Sequence, residues 1–208
     1  MKQAILIVLS AIAAISAFAQ SQSSSEAPKA YWGFEGGGGY SWVPQSLADQ
    51  VQNRYTASLT GTSYSFGLDR FHANGAPSFT LQFLRFSLDA KASDSQTGIA
   101  YAGHVDVPGF MATKHVSFLV RRRFNFGMSF GAGVGPQLTA TYQPTNVPAG
   151  VPTAQKTYTL NEIPVTPMFE ILVRGDIRVH RHFSIGPFAG IRTGFPVVGS
   201  VLRVHFPR

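Results

Sequence analysis

Between Asn125 and Gly135 the chain reads Asn-Phe-Gly-Met-Ser-Phe-Gly-Ala-Gly-Val-Gly, so every second residue is apolar and those between are small or short. A period of two is that of a β-strand, whose side chains alternate between faces. A half-buried strand in water usually sets Lys, Glu or Thr against its apolar residues, whereas here the second face is Gly and Ser. Such a strand suits a wall with lipid on one side and a crowded lumen on the other.

The first residues predict export. Lys2 supplies a positive start, residues 4–16 form an apolar and small-residue core, and Ala17-Phe18-Ala19 before Gln20 has the small-x-small form of a signal peptidase site. A signal peptide over 1–19 is expected, cleaved after Ala19; its apolar run is short for a span. Residues 20–30 are Ser-rich, lack periodicity and read as a flexible lead-in. The chain has no cysteine, which excludes disulfides, a lipobox and thiol chemistry. After the signal no stretch approaches the roughly 18 consecutive apolar residues of a spanning helix, so a membrane location implies a barrel.

About 190 mature residues suffice for one domain, placed here at 31–208. Phe is abundant at 17 copies against 2 Trp, which supplies ring surface for a lipid-facing wall. The net charge of +7, Lys2 contributing one unit, would in a cytosolic protein raise nucleic acid as a partner. In an exported protein it points instead to anionic lipid.

Strand signals fall at 31–42, 55–71, 78–91, 110–120, 124–139, 158–179, 183–195 and 197–206. The gaps between them alternate in length. Gaps 43–54, 92–109 and 140–157 are long and rich in Gly, Pro, Ser, Asn and Gln. Gaps 72–77, with an Asn74-Gly75 turn pair, 121–123 and 180–182 are short. In an up-and-down meander this gathers long loops at one end and tight turns at the other, the asymmetry of outer-membrane barrels. The last gap, at Phe195-Pro196, is short and departs from the alternation. The fold class expected is all-β, an eight-stranded antiparallel up-and-down transmembrane barrel.

Parity assigns the faces. Phe169, Ile171 and Val173 share one side of their strand and Glu170, Arg174, Asp176 and Arg178 the other. Trp32, Phe34 and Tyr40 alternate with Gly33, Glu35, Gly37 and Gly39, and Arg192, Arg203 and His205 fall on lumen parity. The strand at 78–91 is less regular, because Phe79, Leu81 and Phe83 give way to Leu84, Phe86 and Leu88, which predicts a bulge or two apolar faces. A barrel of eight strands is just wide enough to be filled by side chains, so inward charges must satisfy one another. The network expected is Glu35, Glu170 and Asp176 against Arg174, Arg178, Arg192 and Arg203, plugging the lumen.

With these strands the chain resembles the small outer-membrane β-barrels of Gram-negative bacteria, the OmpA-type and OmpW-like eight-stranded proteins, over nearly all of 31–208. The resemblance implies an outer-membrane location and, as partners, membrane lipids including lipopolysaccharide and the outer-membrane assembly machinery. Such barrels commonly end in an aromatic residue, and here Phe206 is followed by Pro207 and Arg208. Lipid A deacylases share the size and a His-x-Ser pair near the C-terminus, matched here by His182-Phe183-Ser184, but no Asp or Glu follows Asp176 to complete the site.

A non-enzymatic monomer is therefore expected, acting in envelope structure or through its surface loops, with no cofactor, metal or nucleic acid. His180 and His182 have no third ligand and read as turn residues. The basic cluster Arg121, Arg122 and Arg123 lies at a periplasmic turn, where it meets lipid phosphates. A narrow solute pore and a soluble exported barrel holding an apolar ligand are the alternatives; the second would turn the Phe and Leu faces inward.

Overall fold

The computed structural model describes residues 30–43, 55–72, 77–94, 96–121, 123–137, 139–147, 154–159, 165–180 and 182–206. The signal peptide, the lead-in as far as residue 29, the Asn74-Gly75 pair, Arg122 and the final Pro207-Arg208 lie outside them, and Ala30, expected in the lead-in, opens the first strand. Among the described residues ten strands follow in order: β1 (Ala30–Trp42), β2 (Tyr55–His72), β3 (Ser78–Asp94), β4 (Ala100–Val120), β5 (Phe124–Pro136), β6 (Thr139–Pro144), β7 (Lys156–Thr159), β8 (Val165–His180), β9 (Phe183–Arg192) and β10 (Phe195–Phe206).

Eight of them, β1 to β5 and β8 to β10, make a closed antiparallel ring. β1 pairs with β10, β3 with β4, and β5 with β8, so no edge is left within the ring. The remaining hairpin, β6 and β7, hangs from the far end of β4, where 101–105 pair with 140–144. The expectation of an eight-stranded antiparallel barrel is met, and the strands at 124–139 and 158–179 are each shortened, their outer ends belonging to β6 and β7.

The gap expected at 92–109 is corrected most. β3 and β4 continue as a paired ladder to Ser93↔Ala100 and turn within a few residues, with Gly98 at positive φ. The segment is strand because it pairs, and it resembled a loop because outside lipid it has no apolar alternation to display. The last turn likewise falls at Thr193-Gly194 and not at Phe195-Pro196. Both turn residues have positive φ, 51° and 89°, the requirement of a two-residue type I′ hairpin.

Side chains divide as parity predicts. Phe34, Phe66, Leu81, Phe83, Phe110, Ile171, Ile185 and Leu202 face outward, while Glu35, Asp69, Arg174, Arg192 and Arg203 are buried inside. β3 has no bulge: its register with β2 and β4 is continuous, and Leu84, Phe86 and Leu88 face the lumen. Its outward row becomes Arg85, Ser87 and Asp89 above Phe83, because there the strand leaves the apolar band. Register shifts occur instead on β4 near Ser117 and on β8 near Arg178.

The small face of β5 has a packing reason. A Cβ built on Gly131 would lie 2.6 Å from Glu170 Cγ and 2.8 Å from Thr113 Oγ1. On β9, one built on Gly186 would lie 2.6 Å from Asp176 Oδ1 and 3.1 Å from Arg174 Nε. Glycine at these inward positions makes room for large charged residues on neighbouring strands.

Candidate functional site

The order of inward residues along each strand stacks the lumen in layers. On β8, counting from the short-turn end, they run Arg178, Asp176, Arg174, Leu172, Glu170 and Met168; on β10, His205, Arg203, Val201 and Val197. An ionic node therefore lies near the short-turn end, an apolar layer above it, and a second ionic node above that.

In the first node Glu35 accepts from Arg174 Nη1 and Nη2 at 3.1 and 2.8 Å and from Arg203 Nη2 and Nε at 2.8 and 3.2 Å. Arg203 also meets Asp69 through Nε and approaches Asp176 Oδ2 at 3.4 Å. Arg174 Nε donates to Asp176 Oδ1 at 3.2 Å, and His115 Nε2 stands 3.8 Å from Asp176 Oδ2. Thr80 Oγ1 donates to Asp69 at 3.2 Å, and the Arg203 guanidinium lies over the Phe71 ring. Three carboxylates thus share two guanidiniums, and Arg203 is only 1% exposed. Charges this deep are tolerated because each has an opposite partner and further hydrogen bonds.

The second node is Arg192 with Glu170, Nε to Oε2 at 2.9 Å. Arg192 Nη1 donates to Ser63 Oγ at 3.0 Å, and Glu170 Oε1 accepts from Thr113 Oγ1 at 3.0 Å. Leu172, Phe188, Val197 and Val201 pack between the nodes, with Phe188 beneath the Arg192 guanidinium. Leu84, Val107, Met111 and Met168 form a further apolar cluster toward the other end.

The structure thus brings together Glu35, Arg174, Asp176 and Arg203, and separately Glu170 and Arg192. Arg178 is a correction: it sits one inward position below Asp176 and joins neither node. Its backbone N–H donates to the Arg123 carbonyl at 2.8 Å, and with Arg121 and Arg123 it lines a recess at the short-turn mouth. Alternation tells which way a side chain faces but not how far along the barrel it meets a partner. Asp69 and His115 went unnoticed, yet Asp69 follows the outward row Tyr64, Phe66 and Leu68 by one residue, and that parity was enough to find it.

Ser184 is not paired with His182. Its hydroxyl is 3.1 Å from His205 Nε2, while His182 Nδ1 faces the His205 carbonyl at 3.2 Å. Among the described residues His205 Nδ1 is buried and has no hydrogen-bond partner, acidic or otherwise.

The outer surface completes the picture. Toward the short-turn end Arg70 lies over Trp32 and Lys114 over Phe79; toward the other end Tyr40 and Trp42 stack at 6.3 Å. Rings and basic groups of this kind flank an apolar band at membrane interfaces. Beyond Phe83 and Phe110 the outward face of β3 and β4 turns polar, opening with a bidentate Arg85–Asp106 pair at 2.7 to 3.1 Å.

A closed eight-stranded antiparallel ring with an apolar belt outside and ionised side chains inside is an integral β-barrel of the outer-membrane type. The facing speaks against the soluble ligand-binding alternative, since most Phe residues point outward and the inward Leu84, Phe86, Leu172 and Phe188 are packed among lumen side chains. No protein-family model matches the chain, and no curated protein does. Among solved structures it is similar to Ail, the attachment invasion locus protein of Yersinia pestis, at 10% identity and a TM-score of 0.38, over 85% of this chain and 97% of that one. It is also similar to the outer membrane protease OmpT from Escherichia coli, at 9% identity and a TM-score of 0.37, over 89% and 100%. A third is the transport unit of the autotransporter AIDA-I from Escherichia coli, at 10% identity and a TM-score of 0.30, over 90% and 93%. Such identities do not carry over an activity, so the chemistry rests on the residues.

Proposed function

We propose that the protein is a non-enzymatic outer-membrane barrel with a sealed lumen that presents a protruding β-sheet at the cell surface for contact with other molecules. The observation that carries this reading is the continuation of β3 and β4 beyond the apolar band. The stretch from Leu84 to Asp94, at about 3.3 Å for each of its 11 residues and tilted about 40°, rises about 28 Å. Together with the upper part of β2 and the β6–β7 hairpin, it forms an extramembrane sheet, in which the outward residues of β3 are Arg85, Ser87, Asp89, Lys91 and Ser93. Building so much paired strand outside lipid adds nothing to spanning, and it makes a stiff platform that a mobile loop would not.

The two ionic nodes support a lumen that does not conduct. Guanidiniums held by two or three carboxylates in the first node and by one in the second leave little freedom for an ion to pass, and the apolar layer between them adds a dry barrier. The connections from β2 to β3, β4 to β5 and β8 to β9, with the first residues of β1 and the last of β10, share one mouth, which this reading assigns to the periplasm.

The absence of cysteine makes the test direct. A single Ser93→Cys variant, at the tip of the β3–β4 hairpin, is labelled by a membrane-impermeant maleimide on intact cells, whereas Arg123→Cys is labelled only after the outer membrane is opened. The reverse pattern rejects the orientation, and discrete conductance steps from the wild type in planar bilayers reject the sealed lumen.

A further inference from the structure

The recess at the short-turn mouth is built unlike the rest of the lumen. Everywhere deeper, cations and carboxylates meet within ion-pair distance. Here Arg121 at the end of β4, Arg123 in the following turn and Arg178 on β8 converge on one open cavity, and among the described residues none has a carboxylate partner. The one carboxylate in its wall, Asp176, is already engaged by Arg174 and Arg203.

Charge bookkeeping gives the sign of what would fit. By formal charge, Glu35, Asp69 and Asp176 against Arg174 and Arg203 leave the node one negative charge over. Three mouth arginines offset it and leave two positive charges facing solvent. Guanidiniums are fixed forks of donors and match tetrahedral oxyanions better than they match water.

The inner wall supplies a second, independent sign. His205 is 5% exposed, lines the recess and lies against Phe71, the rings tilted by 38° with centres 4.9 Å apart, yet among the described residues its Nδ1 has no hydrogen-bond partner. When Ser184 donates to Nε2, the ring proton sits on Nδ1 and leaves a buried donor unmet.

From this geometry we infer that the short-turn mouth is a binding site for one phosphate group, held by Arg121, Arg123 and Arg178 at the rim, with His205 in its inner wall. A phosphate is favoured over a carboxylate because its terminal oxygens can meet more than two of these donors at once. Val120 and Phe124, both part of the lining and both exposed, place the opening beside the lipid-facing surface. The phosphate can therefore be that of a phospholipid headgroup or of a soluble phosphorylated molecule.

Calorimetric titration of the full chain in neutral detergent tests the site, with inorganic phosphate and short-chain phosphatidylglycerol below its micellar concentration as probes. One probe molecule should bind per barrel, and Arg123→Gln and Arg178→Gln should each weaken binding by about tenfold or more. Arg85→Gln, on the outer face, should bind as the wild type does. A lipid that displaces phosphate and binds at least about tenfold tighter identifies the headgroup as the source; phosphate binding as tightly as the lipid identifies a soluble one. Heat-modifiable migration on gels confirms that each variant is folded, and Arg121→Gln, at the exposed rim, replaces Arg178→Gln if the latter misfolds. No saturable binding of either probe, or equal binding by the wild type and the rim variants, overturns the inference.

Discussion

Replacing Arg203 with Met keeps most of the side-chain volume and removes the charge on which the lower node turns. Arg203 contacts Glu35 at 2.8 Å, Asp69 through Nε and Asp176 at 3.4 Å, so its loss leaves three buried carboxylates around Arg174 alone. Breaking a buried pair costs about 3 to 5 kcal/mol, most of it the penalty of a charge left without a partner. With a urea slope of about 2 kcal/mol per molar, the unfolding midpoint should fall by about 2 M. The assay is urea unfolding in lipid vesicles, followed by tryptophan emission and by gel mobility without boiling. A second substitution sharpens it. Asp69→Asn destabilises the wild type, but in the Arg203→Met background it removes an uncompensated charge and should restore about 1 kcal/mol or more. A midpoint shift below about 0.3 M for Arg203→Met, or an Asp69→Asn effect of the same sign in both backgrounds, refutes the ionic account of the lumen.

Other expectations follow from the same packing. Gly186→Ala places a Cβ 2.6 Å from Asp176 Oδ1 and should cost about 1 to 3 kcal/mol in the same unfolding assay, with no loss expected only if the pair is not there. Leu81→Arg, at a lipid-facing position 63% exposed, should cost about 2 to 4 kcal/mol in vesicles, whereas Ser87→Arg, above the apolar band on β3, should be nearly neutral; equal costs would misplace the band. Thr193 is a β-branched residue at φ 51°, so Thr193→Asn should stabilise by about 0.5 kcal/mol, read as a higher urea midpoint.

How much was legible from sequence depended on the solvent each strand meets. Within lipid, β5, β8, β9 and β10 announce themselves because an apolar residue is needed at every second position, and the alternation fixes both the strand and its facing. The outer halves of β3 and β4 meet water, where Ala, Gly, Ser and Asp satisfy either a strand or a loop, so 92–109 gave no signal of its pairing. The lumen charges were legible in direction for the same reason that the barrel was. Their partners were not, because pairing depends on strand tilt and register, which bring Glu35 beside Arg174, 139 positions away in sequence. Arg178 shows the limit: its parity is that of Asp176, yet one step along β8 moves it from the ionic node to the mouth.

The claim beneath all of this is that the chain crosses the outer membrane as a closed barrel. Fractionating expressing cells and running the extracted protein on SDS gels, with and without boiling, tests it most directly. The protein should appear in the outer-membrane fraction and migrate at two positions, a compact form unboiled and a slower one after heating. Recovery in the soluble periplasmic fraction with a single, heat-independent band would contradict the facing of every strand described.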